Sequence, residues 1–157
     1  MARWKIKHVG MKGVAMAVPE HVVKTSDFDF FSQEEAEVFD NAVGIKSRHI
    51  APDSICASDM CQFAAEKLLE ELGWERDSID VLLFESVTGD YRTPPTSCVL
   101  QDRLLLSEDC FCMDIPMGCC GCMYAITVAG NLLTTGNIKR ALLLIGDTAL
   151  RMGSMKD

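Results

Sequence analysis

The stretch MDIPMGCCGC, residues 113–122, decides how this chain folds. Its first residues have the pattern of a short apolar strand that ends at Pro116 and Gly118. A long apolar helix pattern begins at Cys119, which places one cysteine on a sharp turn between a strand and a helix. Unpaired backbone N–H groups and the positive end of the helix dipole meet there, and both favour a thiolate. The stretch therefore predicts a nucleophilic cysteine.

Length and composition indicate a globular protein with one domain. The chain has 157 residues, of which 48% are hydrophobic and 24% are charged, as in ordinary globular proteins. The net charge of -8 argues against nucleic acid as a partner, because phosphate binding needs a basic surface. We therefore expect one domain over residues 1–157 that binds no nucleic acid.

No targeting or membrane-spanning segment is expected. Residues 1–10 alternate between charged and apolar side chains, whereas a secretory signal has a continuous apolar region. No apolar run approaches the roughly 20 residues that cross a bilayer. We therefore expect a cytoplasmic protein with no membrane partner, whose eight cysteines are thiols rather than disulfides.

The periodicity of the chain predicts alternating strands and helices, and hence an α/β fold with a largely parallel sheet. A helix over residues 32–42 is expected to begin with a capping box between Ser32 and Glu35 and to end at Gly44. The clearest amphipathic helix covers residues 58–72. The remaining predicted elements are strands over residues 6–18, 43–50, 79–87, 110–115 and 141–146, and helices over residues 96–106 and 119–135.

Several interpretations compete for the cysteines, five of which fall within residues 110–122. A metal or redox site is one, since Cys119 and Cys122 have C-x-x-C spacing, although no histidine is near and the surrounding patterns are apolar. Burial in the core is another, because free cysteine is among the most buried residue types. We predict core positions for Cys56, Cys61, Cys98, Cys110 and Cys112.

A nucleophile at the strand–helix turn is the third interpretation. Only one of the adjacent thiols, Cys119 or Cys120, can hold that position. Gly118 and Gly121 flank the pair, and glycine permits a strained turn and the close packing of a substrate.

Residues 114–125, DIPMGCCGCMYA, resemble the nucleophile segment of β-ketoacyl-acyl-carrier-protein synthase III, and the resemblance places the nucleophile on Cys119. Residues 136–147, GNIKRALLLIGD, resemble the helix end and strand that follow in this family. Residues 43–51, VGIKSRHIA, resemble its early signature. With further matches at residues 58–60, 79–83 and 94–101, the resemblance covers essentially the whole chain in order.

The resemblance implies both a fold and a reaction. Members of this family have the thiolase fold, in which two similar α/β halves form αβαβα layers, and they work as homodimers. Their cysteine takes up an acyl group as a thioester. A histidine and an asparagine then help to decarboxylate malonyl-carrier protein, and the carbanion attacks the thioester in a Claisen condensation. No cofactor and no metal are implied, since acyl-CoA or acyl-carrier protein enters as a substrate.

By this resemblance, residues 1–157 form an N-terminal half that carries the nucleophile, with a mixed sheet and helices packed on it. The family's chains are about twice as long, and their catalytic histidine and asparagine lie in the second half. His8, His21 and His49 do not match that motif. We therefore expect that the chain cannot run the condensation alone.

The resemblance also implies roles for individual residues. Cys119 would accept the acyl group, and its backbone N–H would help to bind the oxyanion. Gly118 and Gly121 would shape the turn, and Asp114 would be structural. Dimer contacts are expected from the predicted helix over residues 96–106 and the predicted strand over residues 110–115.

Acyl-CoA and an acyl-carrier protein both stay open as the acyl donor, and the sequence departs from the usual CoA site in a way that favours the carrier protein. Family members often stack the adenine of CoA on a tryptophan, with an arginine four residues later, but the corresponding positions here are about Val38 and Ala42. Two other classes of function stay open: a non-catalytic half-domain that acts as a dimerisation partner, and a cysteine-based metal or redox protein.

Overall fold

A computed structural model describes residues 5–151, so both ends of the predicted domain over residues 1–157 lie outside the described residues. The chain folds into two compact units. The first unit contains Ala57–Asp147 together with residues 5–17. The second contains Val18–Cys56 together with residues 148–151.

The second unit is built on a two-stranded antiparallel sheet. Strand β1 (Val22–Lys24) pairs with strand β2 (Ser47–His49), and helix α1 (Gln33–Val43) lies between them in sequence. The predicted capping box is confirmed, since Ser32 Oγ accepts from Glu35 N at 3.2 Å and the Glu35 carboxylate accepts from Ser32 N at 2.9 Å. Short-range sequence signals thus set the start of this helix.

The first unit is built on a three-stranded parallel sheet. Strand β3 (Val81–Glu85) lies between β4 (Phe111–Ile115) and β5 (Ala141–Ile145), in the order β4-β3-β5. The chain crosses between these strands through helices α3 (Thr96–Arg103) and α4 (Gly121–Leu132). Parallel strands need such crossovers, and the predicted α/β class is confirmed.

Helices cover both faces of this sheet. On one face, Leu82 and Phe84 of β3 belong to an apolar cluster with helix α2 (Ala57–Leu72) and α3. On the other face, Val81 and Leu83 pack with residues of α4. Every residue of β3 is buried, which explains its nearly continuous apolar sequence. Within residues 5–151, no helix is both long and apolar enough to cross a membrane.

Two sequence predictions about the sheet were wrong. Residues 6–18 form no strand: Met11 and Met16 are 73% and 83% exposed, and this segment forms no ladder with any described strand. An apolar stretch of sequence cannot supply a partner strand. We also expected one mixed sheet, but in the described residues the parallel and antiparallel pairs form separate sheets.

Asp114, near the end of β4, fixes the start of α3. Its carboxylate oxygens accept hydrogen bonds from the backbone N–H groups of Thr96 and Ser97 at 2.7 and 2.8 Å. These N–H groups lie in the first helical turn, where no intrahelical acceptor is available. Pro95 at the N-cap offers no side-chain acceptor. The structure thus gives Asp114 the structural role that was expected.

We predict that Asp114→Ala lowers the free energy of unfolding by about 1–2 kcal/mol, because two buried donors lose a charged acceptor. Glu108→Ala, which removes an exposed carboxylate shortly before β4, should change it by less than about 0.5 kcal/mol. Urea unfolding followed by circular dichroism measures both values. Equal effects of the two substitutions would contradict the assigned role.

Candidate nucleophile turn

Cys119 lies on a tight turn between β4 and α4. Residues Gly118–Cys120 form one turn of 3-10 helix, and the N–H of Gly121 donates to the carbonyl of Gly118. Gly118 has a φ of 60°, a left-handed conformation that favours glycine. The α-helix therefore begins at Gly121, two residues later than predicted, because this tighter turn comes first. The predicted strand–helix turn at Cys119 is present.

The turn lies at the carboxyl edge of the parallel sheet. Glu85, Ile115 and Ile145, the last residues of the three strands, are in register with one another. Helix α3 connects β3 to β4 on one face of the sheet, and α4 connects β4 to β5 across the other face. Open α/β sheets bind ligands at the carboxyl ends of their strands. Asp147 joins two of the strand ends, since its Oδ1 accepts from Ser86 Oγ at 2.8 Å.

The two adjacent thiols of the turn have different surroundings. Both side chains are exposed. The Cys120 thiol points back to the backbone, where its Sγ donates to the carbonyl of Met117 at 3.3 Å. Within the described part of the chain, the Cys119 thiol has no hydrogen-bond partner. Cys119 precedes the 12-residue helix α4, whose N-terminal end carries a partial positive charge. This contrast favours Cys119 over Cys120 as the nucleophile.

Burial makes three other thiols poor nucleophiles. Burial, reinforced by the charges of Asp147 and Asp90, raises the pKa of the Cys61 thiol to about 12. Burial and the neighbouring Cys110 raise the pKa of Cys112 to about 12. The pKa of Cys110 is also raised, chiefly by burial. Since the thiolate is the reactive form, these side chains stay inert at neutral pH.

The core prediction for the cysteines was partly wrong. Cys61 and Cys110 are buried, and Cys56 and Cys112 are partly buried, but Cys98 is exposed. Cys98 lies on α3, whose buried residues are Thr96, Ser97 and Leu100. The exposed position follows from helical periodicity, because residue 98 lies away from the face that those residues share.

The metal interpretation finds no ligand cluster in the described part of the chain. No group of three or more His, Cys, Asp or Glu side chains among these residues could hold a metal ion. Of the C-x-x-C pair, Cys119 is exposed and Cys122 is partly buried. The spacing alone is a weak signal, because a metal site also requires converging ligands.

In the second unit, three residues bear on the predicted function: Arg48 makes structural contacts, and Val38 and Ala42 are exposed. Arg48, from the early signature, donates to Thr25 Oγ1 at 3.1 Å and stacks on the Phe39 ring. Val38 and Ala42 are exposed on α1, and neither can stack on a base or pair with a phosphate.

Sequence reasoning missed Glu85, the last residue of β3. Its residue surface is only 2% exposed, although it carries an ionisable group. Its side chain lies against Gly121, where an added Cβ would overlap the Glu85 carboxyl. Gly121 itself has ordinary helical angles, φ -59° and ψ -37°. This glycine is therefore needed for close packing against Glu85. The sequence does contain a signal, because Glu85 is the only charged residue in an otherwise apolar strand.

A parallel sheet between helices, with a cysteine turn at its carboxyl edge, defines a thiolase-like α/β unit. The structure superposes with a TM-score of 0.84 on a 3-oxoacyl-(acyl-carrier protein) synthase from Burkholderia xenovorans LB400, which is 38% identical. That match covers 92% of this chain and 42% of the other. No family model matches the sequence.

Curated relatives support the same assignment. A β-ketoacyl-[acyl-carrier-protein] synthase III from Geobacillus kaustophilus is 34% identical over 148 residues, which cover 94% of this chain and 47% of the relative. One from Xanthomonas oryzae is 33% identical, covering 89% of this chain and 43% of the relative. The chain is therefore similar to β-ketoacyl-acyl-carrier-protein synthase III, as the sequence predicted. It spans less than half the length of these relatives.

We predict that iodoacetamide modifies Cys119 at least about 100-fold faster than Cys61 and Cys112 at neutral pH, because raised pKa values leave the latter two almost wholly protonated. Peptide mapping by mass spectrometry over a time course gives each rate. Exposed Cys98 serves as the reference for simple accessibility. Equal labelling of all eight cysteines would contradict the assignment.

Proposed function

We propose that this chain is the nucleophile-bearing part of a condensing enzyme, and that Cys119 accepts an acyl group. The observation that carries the proposal is the exposed Cys119 thiol on a glycine turn, ahead of α4 and at the carboxyl edge of the sheet. The names of the similar proteins supply the substrate class, an acyl group on a carrier protein.

The first half-reaction would be acyl transfer between thiols. The Cys119 thiolate attacks the carbonyl carbon of an acyl thioester, so that a new C–S bond forms as the donor's C–S bond breaks. The donor thiol leaves with the proton that Cys119 gave up. The backbone N–H of Cys119 would stabilise the oxyanion formed on the way. Gly118, in its left-handed conformation, holds the backbone in the turn that presents this group.

The second half-reaction would be a decarboxylative Claisen condensation with malonyl-carrier protein. It needs the histidine and asparagine that the family resemblance assigns to a second half. The exposed apolar side chains of α4, among them Met123 and Tyr124, offer a surface that such a half could cover. The condensation is therefore proposed for the complete enzyme, in fatty acid or polyketide synthesis.

A homodimer is proposed from the position of β4. This strand is at the edge of the three-stranded sheet, and Phe111 at its start is 48% exposed. An open strand edge can pair with a second copy of itself, and exposed aromatic surface favours association. Helix α3, which packs on β4, is expected to contribute to the same contact.

We expect an acylated carrier protein to transfer its acyl group to Cys119, and acetyl-CoA to do so more slowly because α1 offers neither a ring nor a charge at Val38 and Ala42. The measurement is the intact mass of the chain after incubation with each donor, followed by peptide mapping. Cys119→Ala should reduce adduct formation at least about 100-fold, since the attacking atom is removed.

Cys120→Ala is the matched control, since it removes the adjacent exposed thiol and should leave the adduct yield within about threefold. An adduct that survives in Cys119→Ala would contradict the proposal. A complete absence of adducts in the unsubstituted chain would instead favour a non-catalytic dimerisation unit. Zinc found by elemental analysis would favour the metal interpretation.

We further predict that this sequence of 157 residues shows no malonyl-dependent condensation by itself, even where Cys119 is acylated, because the resemblance places the decarboxylating groups elsewhere. The assay follows carbon dioxide release and the β-ketoacyl product with acyl- and malonyl-carrier protein. A measurable rate of product formation would contradict the proposal that condensation needs groups from a second half.

A further inference from the structure

Glu85 lies directly beneath the turn that carries Cys119. Its side chain occupies the space that the missing side chain of Gly121 leaves at the start of α4. Its Oε1 is buried, faces Gly121 and has no hydrogen-bond partner. The backbone of Met117 and Gly118, the two residues that precede Cys119, is near enough to this carboxyl to lower its pKa. The Glu85 side chain thus packs against the turn at Gly121, two residues after Cys119.

The surroundings of Glu85 favour its neutral form. Burial raises the pKa of this carboxyl, and the nearby charge of Asp147 raises it further. Hydrogen bonding from the backbone of Met117 and Gly118 lowers the pKa, but burial is the largest effect. A protonated Glu85 places no negative charge under the turn, whereas an ionised Glu85 would oppose a thiolate on Cys119.

We propose that Glu85 is the positioning residue of the nucleophile turn: its carboxyl fills the space under Gly121, and so holds Cys119 at the carboxyl edge of the sheet. The inference rests on the proposed function, since it assigns a supporting residue to the same nucleophile. Glu85 itself is buried and acts on an acyl substrate only through the backbone of the turn.

The test compares Glu85→Gln and Glu85→Ala in the full chain. Gln keeps the volume of the side chain under Gly121, whereas Ala leaves a cavity there. We expect the ratio of iodoacetamide labelling at Cys119 to that at Cys120 to fall at least about fivefold in Glu85→Ala and to stay within about twofold in Glu85→Gln.

Amide hydrogen exchange across residues 117–121 provides a second readout. We expect it to accelerate at least about tenfold in Glu85→Ala and to stay unchanged in Glu85→Gln. This readout does not depend on acyl transfer. If Cys119 accepts no acyl group, the proposed function fails, and the exchange rates still decide whether Glu85 supports the turn. If the unsubstituted chain is acylated at Cys119, and Glu85→Ala changes neither the labelling ratio nor the exchange rates, only the inference about Glu85 is overturned.

Asp80 provides a matched control at the other end of β3. It immediately precedes β3, whereas Glu85 ends it, and its carboxylate accepts from the backbone N–H groups of Lys139 and Arg140 at 2.7 and 2.9 Å. Asp80→Ala should leave the labelling ratio and the exchange at residues 117–121 unchanged. If Asp80→Ala changes them as much as Glu85→Ala does, a general loss of stability is the cause and the proposal fails.

The pH profile separates positioning by Glu85 from a purely structural role. As the pH rises, the labelling rate of Cys119 should increase less steeply in the unsubstituted chain than in Glu85→Gln, because ionisation of Glu85 opposes the thiolate. The two rates should converge at the acid end, where Glu85 is protonated. Parallel profiles would overturn the proposed link between Glu85 and Cys119.

Discussion

The contact between the Glu85 side chain and the backbone of Gly121 is the constraint on which this site depends. Strand β3 is buried on both faces, so its end point is fixed by the packing of α2, α3 and α4. Helix α4 can approach that end only because residue 121 has no side chain. The two glycines of the turn serve different needs: Gly118 supplies a left-handed conformation, and Gly121 supplies close packing.

The different surroundings of the thiols explain why one of the eight cysteines is suited to act as the nucleophile. Burial holds the thiols of Cys61, Cys110 and Cys112 in their protonated form. Cys120 donates to the backbone within the turn. Cys119 is exposed ahead of α4, where backbone N–H groups and the helix dipole favour negative charge. The surroundings of each thiol, more than its spacing in sequence, determine which can act as a nucleophile.

Sequence patterns predicted the features that depend on near neighbours. The capping box of α1 and the turn at Cys119 were correct, because each is set by residues within a few positions. The strand over residues 6–18 was wrong, because a ladder needs a distant partner. The role of Glu85 was missed for the same reason, since Gly121 and Asp147 come near it only through the parallel packing of β3 with its neighbours.

A double-mutant cycle between Gly121→Ala and Glu85→Ala tests the central contact most directly. Gly121→Ala alone should lower the free energy of unfolding by at least about 2 kcal/mol, because the new methyl group overlaps Glu85. In the Glu85→Ala background the methyl group has room, and the higher helix propensity of alanine favours the substitution. We predict a coupling free energy of at least about 1 kcal/mol. Effects that add within about 0.5 kcal/mol would show that Glu85 and Gly121 are not packed together, and would contradict the proposed constraint.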